Sequence, residues 1–409
     1  MPERQYDVIL YGASGFTGRQ TVQYFARNTR PGEVRWAIAG RNPQQLSLAK
    51  QLAGEGAAAA EIIIADARDQ KAIDAMVAKT RILLSTAGPF SLYGSGIVDA
   101  CVRLKTHYVD ITGETPWVRD LIDRHHQQAA SDGTRIIPCC GFDSIPSDLG
   151  AYLIVRHMQK EMGVDCRLVK GYYQMSGGLN GGTFASAHNM SQSGNGARMS
   201  EMFLLNPPKE HTAEEKSNNH DPRGAQFDPD IGAWSAPFIM GMTNSRIVRR
   251  SAALFEQWQA PYGPEFGYQE FQKLDGSMAG MRSRGLLLSL GLLQLTMSTG
   301  LGRRFLKALA PSPGSGPSEK TMNNGFFKCD LAGIATDGRK IRGVISDKGD
   351  PGNRATVKFL CESALALALN FDTLPGGPQR GGILTPATAL GDVLAGRLRK
   401  AGMKIEVGT

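Results

Sequence analysis

A chain of 409 residues is long enough for two or three domains of ordinary size, and with 41% hydrophobic and 21% charged residues it is neither disordered nor fibrous. Glycine is in excess at 49 residues without a collagen period, so many tight turns and close backbone approaches are expected. Forty-six basic against 38 acidic residues leave a scattered net charge of +8, which favours anionic partners; no zinc-finger spacing, aromatic RNA-binding signature or basic arm accompanies it, so nucleic acid is not expected.

The stretch Met1 to Asp7 passes from a polar stub into a strand-like run with no secretory pattern, so a cytoplasmic location is expected. Over the first 140 residues, short apolar runs alternate with helix-length segments, the pattern of a parallel sheet covered by helices. The six expected strands are Asp7 to Tyr11, Val34 to Ala39, Ala60 to Ala65, Arg81 to Thr86, His107 to Ile111 and Arg135 to Cys139. That count completes an α/β Rossmann domain, a doubly wound parallel sheet, over residues 1–140.

A second domain is expected over 141–345, with Gly-rich turns at Gly177 to Gly182 and a mobile insertion at Asn206 to Pro229. Within it, Gly285 to Gly302 is uncharged and flanked by Arg282, Arg284, Arg303 and Arg304. A buried core helix or dimer interface is the first expectation there, ahead of a helix dipping into a membrane surface or a transmembrane span. Ala310 to Ser318 reads as a linker, Lys328 to Ile345 as strands with a hairpin around Thr336-Asp337-Gly338, and 346–409 as a C-terminal segment with helices at Asn353 to Asn370 and Ala387 to Ala401.

The strongest chemical motif is YGASGFTG, where the first strand runs into Gly12, Gly15 and Gly18 and a helix opens near Phe16. Gly12 permits the tight turn, Gly15 lets the backbone approach a pyrophosphate and Gly18 lets helix and strand pack closely, while Ser14 and Thr17 add hydroxyls beside the free N–H groups. The second strand ends Ala39-Gly40-Arg41 with no acid for a ribose hydroxyl, and an Arg fork pairs with a phosphate, so NADP(H) is the expected cofactor. Asp66, after the third strand, is read as an adenine contact or equally as a helix cap. Ala87-Gly88-Pro89, after the fourth, is read as a turn lying against the cofactor or as turn chemistry alone.

Asp143 and Glu114 are the catalytic candidates, because the strings Cys139 to Asp148 and Asp110 to Glu114 follow the sixth and fifth strands, at the edge where open parallel sheets bind ligands. Helix capping by Ser144 to Asp148 is the commoner alternative, and His188 is a further candidate. No Tyr is followed by Lys four positions on, which argues against short-chain dehydrogenase chemistry, and no nucleophile elbow forms around Ser14. Cys101, Cys139, Cys140, Cys166, Cys329 and Cys361 include no Cys-X-X-Cys pair and lie beside no His cluster, so neither a disulfide framework nor a metal is expected.

With YGASGFTG, Ala39 to Arg41, Ala87 to Phe90, Tyr108 to Glu114, Cys140 to Asp148, Gly181 to Thr183 and Gly381 to Asp392 in place, the chain resembles the saccharopine dehydrogenase-like oxidoreductases, in their trans-acting enoyl reductase branch. The resemblance implies a second α+β domain holding the substrate site and often a dimer contact, with a C-terminal segment packing back on the first domain. It implies reduction of a C=C bond in an unsaturated lipid or acyl thioester for lipid or glycolipid biosynthesis, with an acyl carrier protein as a partner and a homodimer as the assembly. A saccharopine-type amino-acid or imine dehydrogenase is the rival enzyme, although no cluster of arginines for two carboxylates is evident. A non-catalytic NADP-binding scaffold at a membrane surface, touching lipid through 285–302, is the rival from another class.

Overall fold

The computed structural model describes residues 4–178, 180–192, 196–302, 304 and 314–408. Strands β1 (Tyr6–Tyr11), β2 (Trp36–Gly40), β3 (Glu61–Ile64), β4 (Thr80–Ser85), β5 (His107–Asp110) and β6 (Arg135–Ile137) pair in parallel in the order β6-β5-β4-β1-β2-β3, the doubly wound arrangement. Successive strand residues face opposite sides. Val8, Leu10, Ile82 and Leu84 enter a core shared with Val22, Phe25 and Leu360, whereas Ile9, Tyr11 and Leu83 enter another with Ile73, Val98 and Val118. Both faces are therefore covered by helices, which is why the central strands β1, β2 and β4 read as mostly apolar runs.

The second sheet gathers β7 (Cys166–Ser176), β8 (Gln226–Asp228), β9 (Ala233–Pro237), β10 (Gly267–Leu274), β11 (Phe326–Ala335) and β12 (Lys340–Lys348). Only β7 and β10 pair in parallel; the other neighbours are antiparallel. The expected hairpin is present between β11 and β12, with Gly338 at φ 87° in its turn. The helix Ile145–His157 is buried at every position from Ile145 to Val155. A Cβ on Gly150 would lie 2.7 Å from Leu331, so the small residue sets how closely this helix approaches β11.

The C-terminal segment is more than helical. Its helices Thr356–Leu369 and Pro386–Lys400 are joined by β13 (Gly382–Ile383), which adds a seventh parallel strand beside β6. It then closes on β14 (Lys404–Val407), paired with β12 of the other sheet. A two-residue strand carries too little periodicity to be read from sequence.

Two expectations are overturned here. Asn206 to Pro229 is not a free insertion: Arg119 donates to the Asn206 carbonyl oxygen, buried Arg249 on the helix Gly241–Gln257 donates to the side-chain and carbonyl oxygens of Asn219, and Arg246 and Arg249 pair with Asp221. Nor is Gly285 to Gly302 a core helix of the chain, because Leu288, Leu292 and Leu301 of this stretch are 77%, 65% and 84% exposed. It begins on the helix Ala279–Ser298, whose first turns, among the described residues, pack through Ala279 and Leu286 on Trp234, Ala236 and Leu274. Its flanking Arg303 and residues 310–313 of the expected linker lie outside the described residues.

Candidate functional site

The turn after β1 has the geometry its glycines imply. Gly12 sits at φ 83°, and a Cβ on it would lie 2.8 Å from the Thr86 hydroxyl. On Gly18 a Cβ would lie 2.1 Å from the Gly12 carbonyl oxygen, so this glycine lets the helix Phe16–Asn28 pass directly over the turn. Gly15 is different: its φ is −70°, and a Cβ there would meet only the Gly12 oxygen, at 3.3 Å. It caps the helix with no side-chain bond, so the first N–H groups, at Phe16 and Thr17, face outward as an anion cradle.

The same edge collects the other expected cofactor residues. Ser14 approaches Gly40, to 3.7 Å from a Cβ built there. Arg41 is exposed at the end of β2. Asp66 and Arg41 act with opposite sign on the buried Tyr11 phenol, whose pKa is pushed up to about 12 by burial first and Asp66 second. Asp66 does not cap the next helix; its Oδ1 accepts from Arg68 N at 3.0 Å, and Asp69 caps the helix Gln70–Val77 instead. Beyond β4, Ala87, Gly88 and Pro89 form an accessible turn, and Ser186 of the helix Gly181–Gln192 closes on it to 3.7 Å from a Cβ on Gly88. An uncapped helix start, glycines that a Cβ would crowd and an exposed arginine at the end of β2 together fit NADP(H).

Glu114 is 1% exposed, and its carboxylate accepts from Phe90 N (2.8 Å), Ser91 N (3.1 Å), the Ser91 hydroxyl and the Ser186 hydroxyl (3.0 Å). Every lone pair facing the edge is engaged, so Glu114 holds the Gly88-Pro89 turn against the helix Gly181–Gln192 rather than reaching a substrate. Asp143 behaves oppositely. It is half-buried, makes no side-chain hydrogen bond among the described residues, and its Oδ2 lies 4.0 Å from a Cβ built on Gly113. Loss of hydration pushes its carboxyl up to about 6.

The neighbouring string is structural. Asp148 accepts from the Ser251 hydroxyl and from Ala387 N at 2.8 Å, anchoring the start of the helix Pro386–Lys400, while Ser144 makes no capping bond to its own helix. Asp110 accepts from Thr112 N, Cys139 N and the Tyr108 hydroxyl, fixing the ends of β5 and β6. Cys139 and Cys140 are free and buried, and burial raises both thiols far above their usual range, which leaves them unreactive. His188 lies on the helix Gly181–Gln192, beyond the Gly88 turn.

One acid was missed. Glu270 on β10 is 2% exposed; its Oε1 accepts from the Ser147 hydroxyl (2.6 Å), Asn244 Nδ2 (3.1 Å) and the Tyr268 hydroxyl (3.3 Å), whereas Oε2 has no partner. Burial pushes its carboxyl up to about 7. It lies under Gly241, at the start of the helix whose Thr243 hydroxyl donates to the Gly113 carbonyl oxygen, beside Asp143. The signal was the one acid of this strand, in step with Tyr268 on its face.

A cavity of about 350 Å³ lies elsewhere, lined by Arg119, Arg198, Lys209 and His211 among others. Its cations are already paired with Asp123, Asp120 and Glu256, and no Gly-rich turn borders it. Among the described residues no group of His, Cys, Asp and Glu is arranged to hold a metal ion.

The saccharopine dehydrogenase NADP-binding domain family matches residues 8–137. A protein of Mycobacterium tuberculosis is 35% identical over 431 residues, covering 98% of this chain and 97% of its own. A trans-acting enoyl reductase of the same species is 35% identical with the same coverages, and one of Mycobacterium ulcerans is 34% identical over 98% of both chains. The solved apo saccharopine dehydrogenase of Saccharomyces cerevisiae superposes with a TM-score of 0.55 at 13% identity over 99% of this chain and 100% of its own, which is a likeness of fold. The chain is an NADP-dependent oxidoreductase that belongs to the saccharopine dehydrogenase-like family, in its trans-acting enoyl reductase branch.

Proposed function

We propose that this chain reduces the C=C bond of an α,β-unsaturated acyl thioester. What carries the reading is end-to-end similarity to proteins named trans-acting enoyl reductases, which spans the second domain as well as the nucleotide fold. When bound, NADPH supplies a hydride to the β-carbon, leaving charge on the thioester enolate. Gly12, Ser14, Gly15, Phe16, Thr17 and Gly18 hold the pyrophosphate, Arg41 the 2′-phosphate, Asp66 the adenine end, and Ala87, Gly88 and Pro89 the nicotinamide end. Asp143 delivers a proton to the α-carbon, and its carboxyl near 6 keeps a protonated fraction available close to neutral pH. Glu114 acts through the Gly88-Pro89 turn, as a positioning residue.

An acyl chain delivered on an acidic carrier protein suits the net charge of +8. A homodimer and a cytoplasmic enzyme that meets membranes peripherally complete the reading. The test is consumption of NADPH by the purified protein with a chain-length series of enoyl thioesters. Turnover supports the proposal; inertness across the series defeats it, and activity with glutamate-derived imines instead would move the chain to amino-acid chemistry.

A further inference from the structure

We propose that the helix Ala279–Ser298 docks the protein on an anionic lipid bilayer, lying in the headgroup region rather than crossing it. A globular helix that is apolar on all sides is stable when it is covered all round. Here leucines occupy 286, 287, 288, 290, 292 and 295, a spread around most of the helix at 100° per residue. Among the described residues, the body of the chain packs on the first turns. Leu288, Leu292 and Leu295 are each at least 64% exposed, and a Cβ on Gly285 or Gly291 would meet nothing within 4 Å.

Charge selects the occupant. Between Asp275 and Glu319 there is no acidic residue, while Arg282, Arg284, Arg303, Arg304 and Lys307 bracket the apolar run. Arg282, Arg284 and Arg304 are exposed. Guanidinium groups at both ends of an apolar helix match anionic headgroups around a shallow acyl layer, and they disfavour a purely apolar partner.

Topology fixes the depth. The helix starts against Trp234 on the second sheet, and the chain is back on the first domain at Gly314, whose carbonyl oxygen accepts from Arg19 Nη2 at 3.2 Å. Eleven residues separate Gly302 from Gly314, a reach of at most about 40 Å. A return through about 30 Å of hydrocarbon takes about 20 residues as a helix, more than this segment holds, and an extended return would leave its backbone groups unsatisfied, which a bilayer does not tolerate. In agreement, no helix among the described residues is long and apolar enough to cross a membrane.

The experiment is co-sedimentation of the full chain with phosphatidylcholine vesicles, with and without phosphatidylglycerol, at low and high salt. Binding confined to the anionic vesicles and weakened by salt is expected. Leu288→Asn with Leu292→Asn should abolish it, and Arg282→Gln with Arg284→Gln should weaken it by about thirtyfold, at about a factor of five per surface arginine. NADPH titration of each variant should match the parent, which separates lost docking from lost folding. Failure to bind anionic vesicles, or equal binding to neutral ones, overturns the proposal. So does a vesicle-inert protein whose self-association, or whose capture of an acyl carrier protein, is lost on the same leucine substitutions.

Discussion

Gly18→Ala and Gly15→Ala should fail in different ways, although both alter the same turn. A Cβ at 18 falls 2.1 Å from the Gly12 carbonyl oxygen and 2.8 and 2.9 Å from backbone atoms of Ala13. Ordinary contact begins near 3.4 Å, so the turn or the helix must move by more than an ångström, and every obstructing atom is backbone. Overpacking of that kind costs about 1–3 kcal/mol, and each kcal/mol lowers the melting temperature of domains of this size by about 2–4 °C. At 15 the only near atom is the Gly12 oxygen at 3.3 Å, and φ is already −70°. Replacing glycine where alanine fits shifts stability by under about 1 kcal/mol, in the stabilising direction. The new methyl group would nevertheless stand where the pyrophosphate approaches the backbone. Thermal unfolding together with NADPH titration should show G18A less stable and weaker in binding, and G15A about as stable as the parent yet at least tenfold weaker in binding. A G15A protein that binds NADPH like the parent, or a G18A protein that melts with it, would refute this account of the turn.

Arg41→Ala should erase a preference for NADPH over NADH, by about tenfold to a hundredfold if Arg41 supplies charge-assisted hydrogen bonds of about 1.5–3 kcal/mol; unchanged selectivity in paired titrations would place the 2′-phosphate elsewhere. Asp143→Asn should lower kcat by about a hundredfold or more. In the parent, rate should fall as pH rises through about 6, because the proton is held by burial, and the variant should lack that limb; a limb that persists in the variant excludes Asp143 as its source. Glu270→Gln tests linkage. Its folded carboxyl is raised from 4.5 to about 7, so its contribution to stability is complete below 4.5 and is lost as pH rises through 7. The amide keeps Oε1 bonded to Ser147 and Asn244 and removes the titration, so denaturant melts from pH 4 to 8 should show a flatter decline in the variant; an unchanged slope would mean that other groups set it.

The sequence by itself determined the local and periodic parts of this protein. Apolar runs alternating with helical segments determined the first six strands, because a strand covered on both faces is mostly apolar, with His107, Asp110 and Arg135 as buried polar exceptions. Gly12 and Gly18 announced the turn after β1 because glycine is favoured at a positive φ, as at 12, and no side chain fits a 2.1 Å approach to backbone, as at 18. Arg41 was legible because its place at the end of β2 is a matter of chain order alone.

Tertiary structure decided what depended on partners remote in sequence. Glu114 and Asp143 looked alike as acids beyond adjacent strands, yet Ser186, 72 residues on, helps to saturate one, while the other is left desolvated and unbonded. Glu270 gained its environment only when Ser147, 123 residues earlier, folded against it. Gly382 and Ile383 became a strand because β6 offered an open edge, and the helix from Ala279 proved to be uncovered rather than core because the second sheet reaches only its first turns. Composition sets a side chain's chemistry, whereas the hydration and hydrogen bonding that tune it belong to whatever the fold brings alongside.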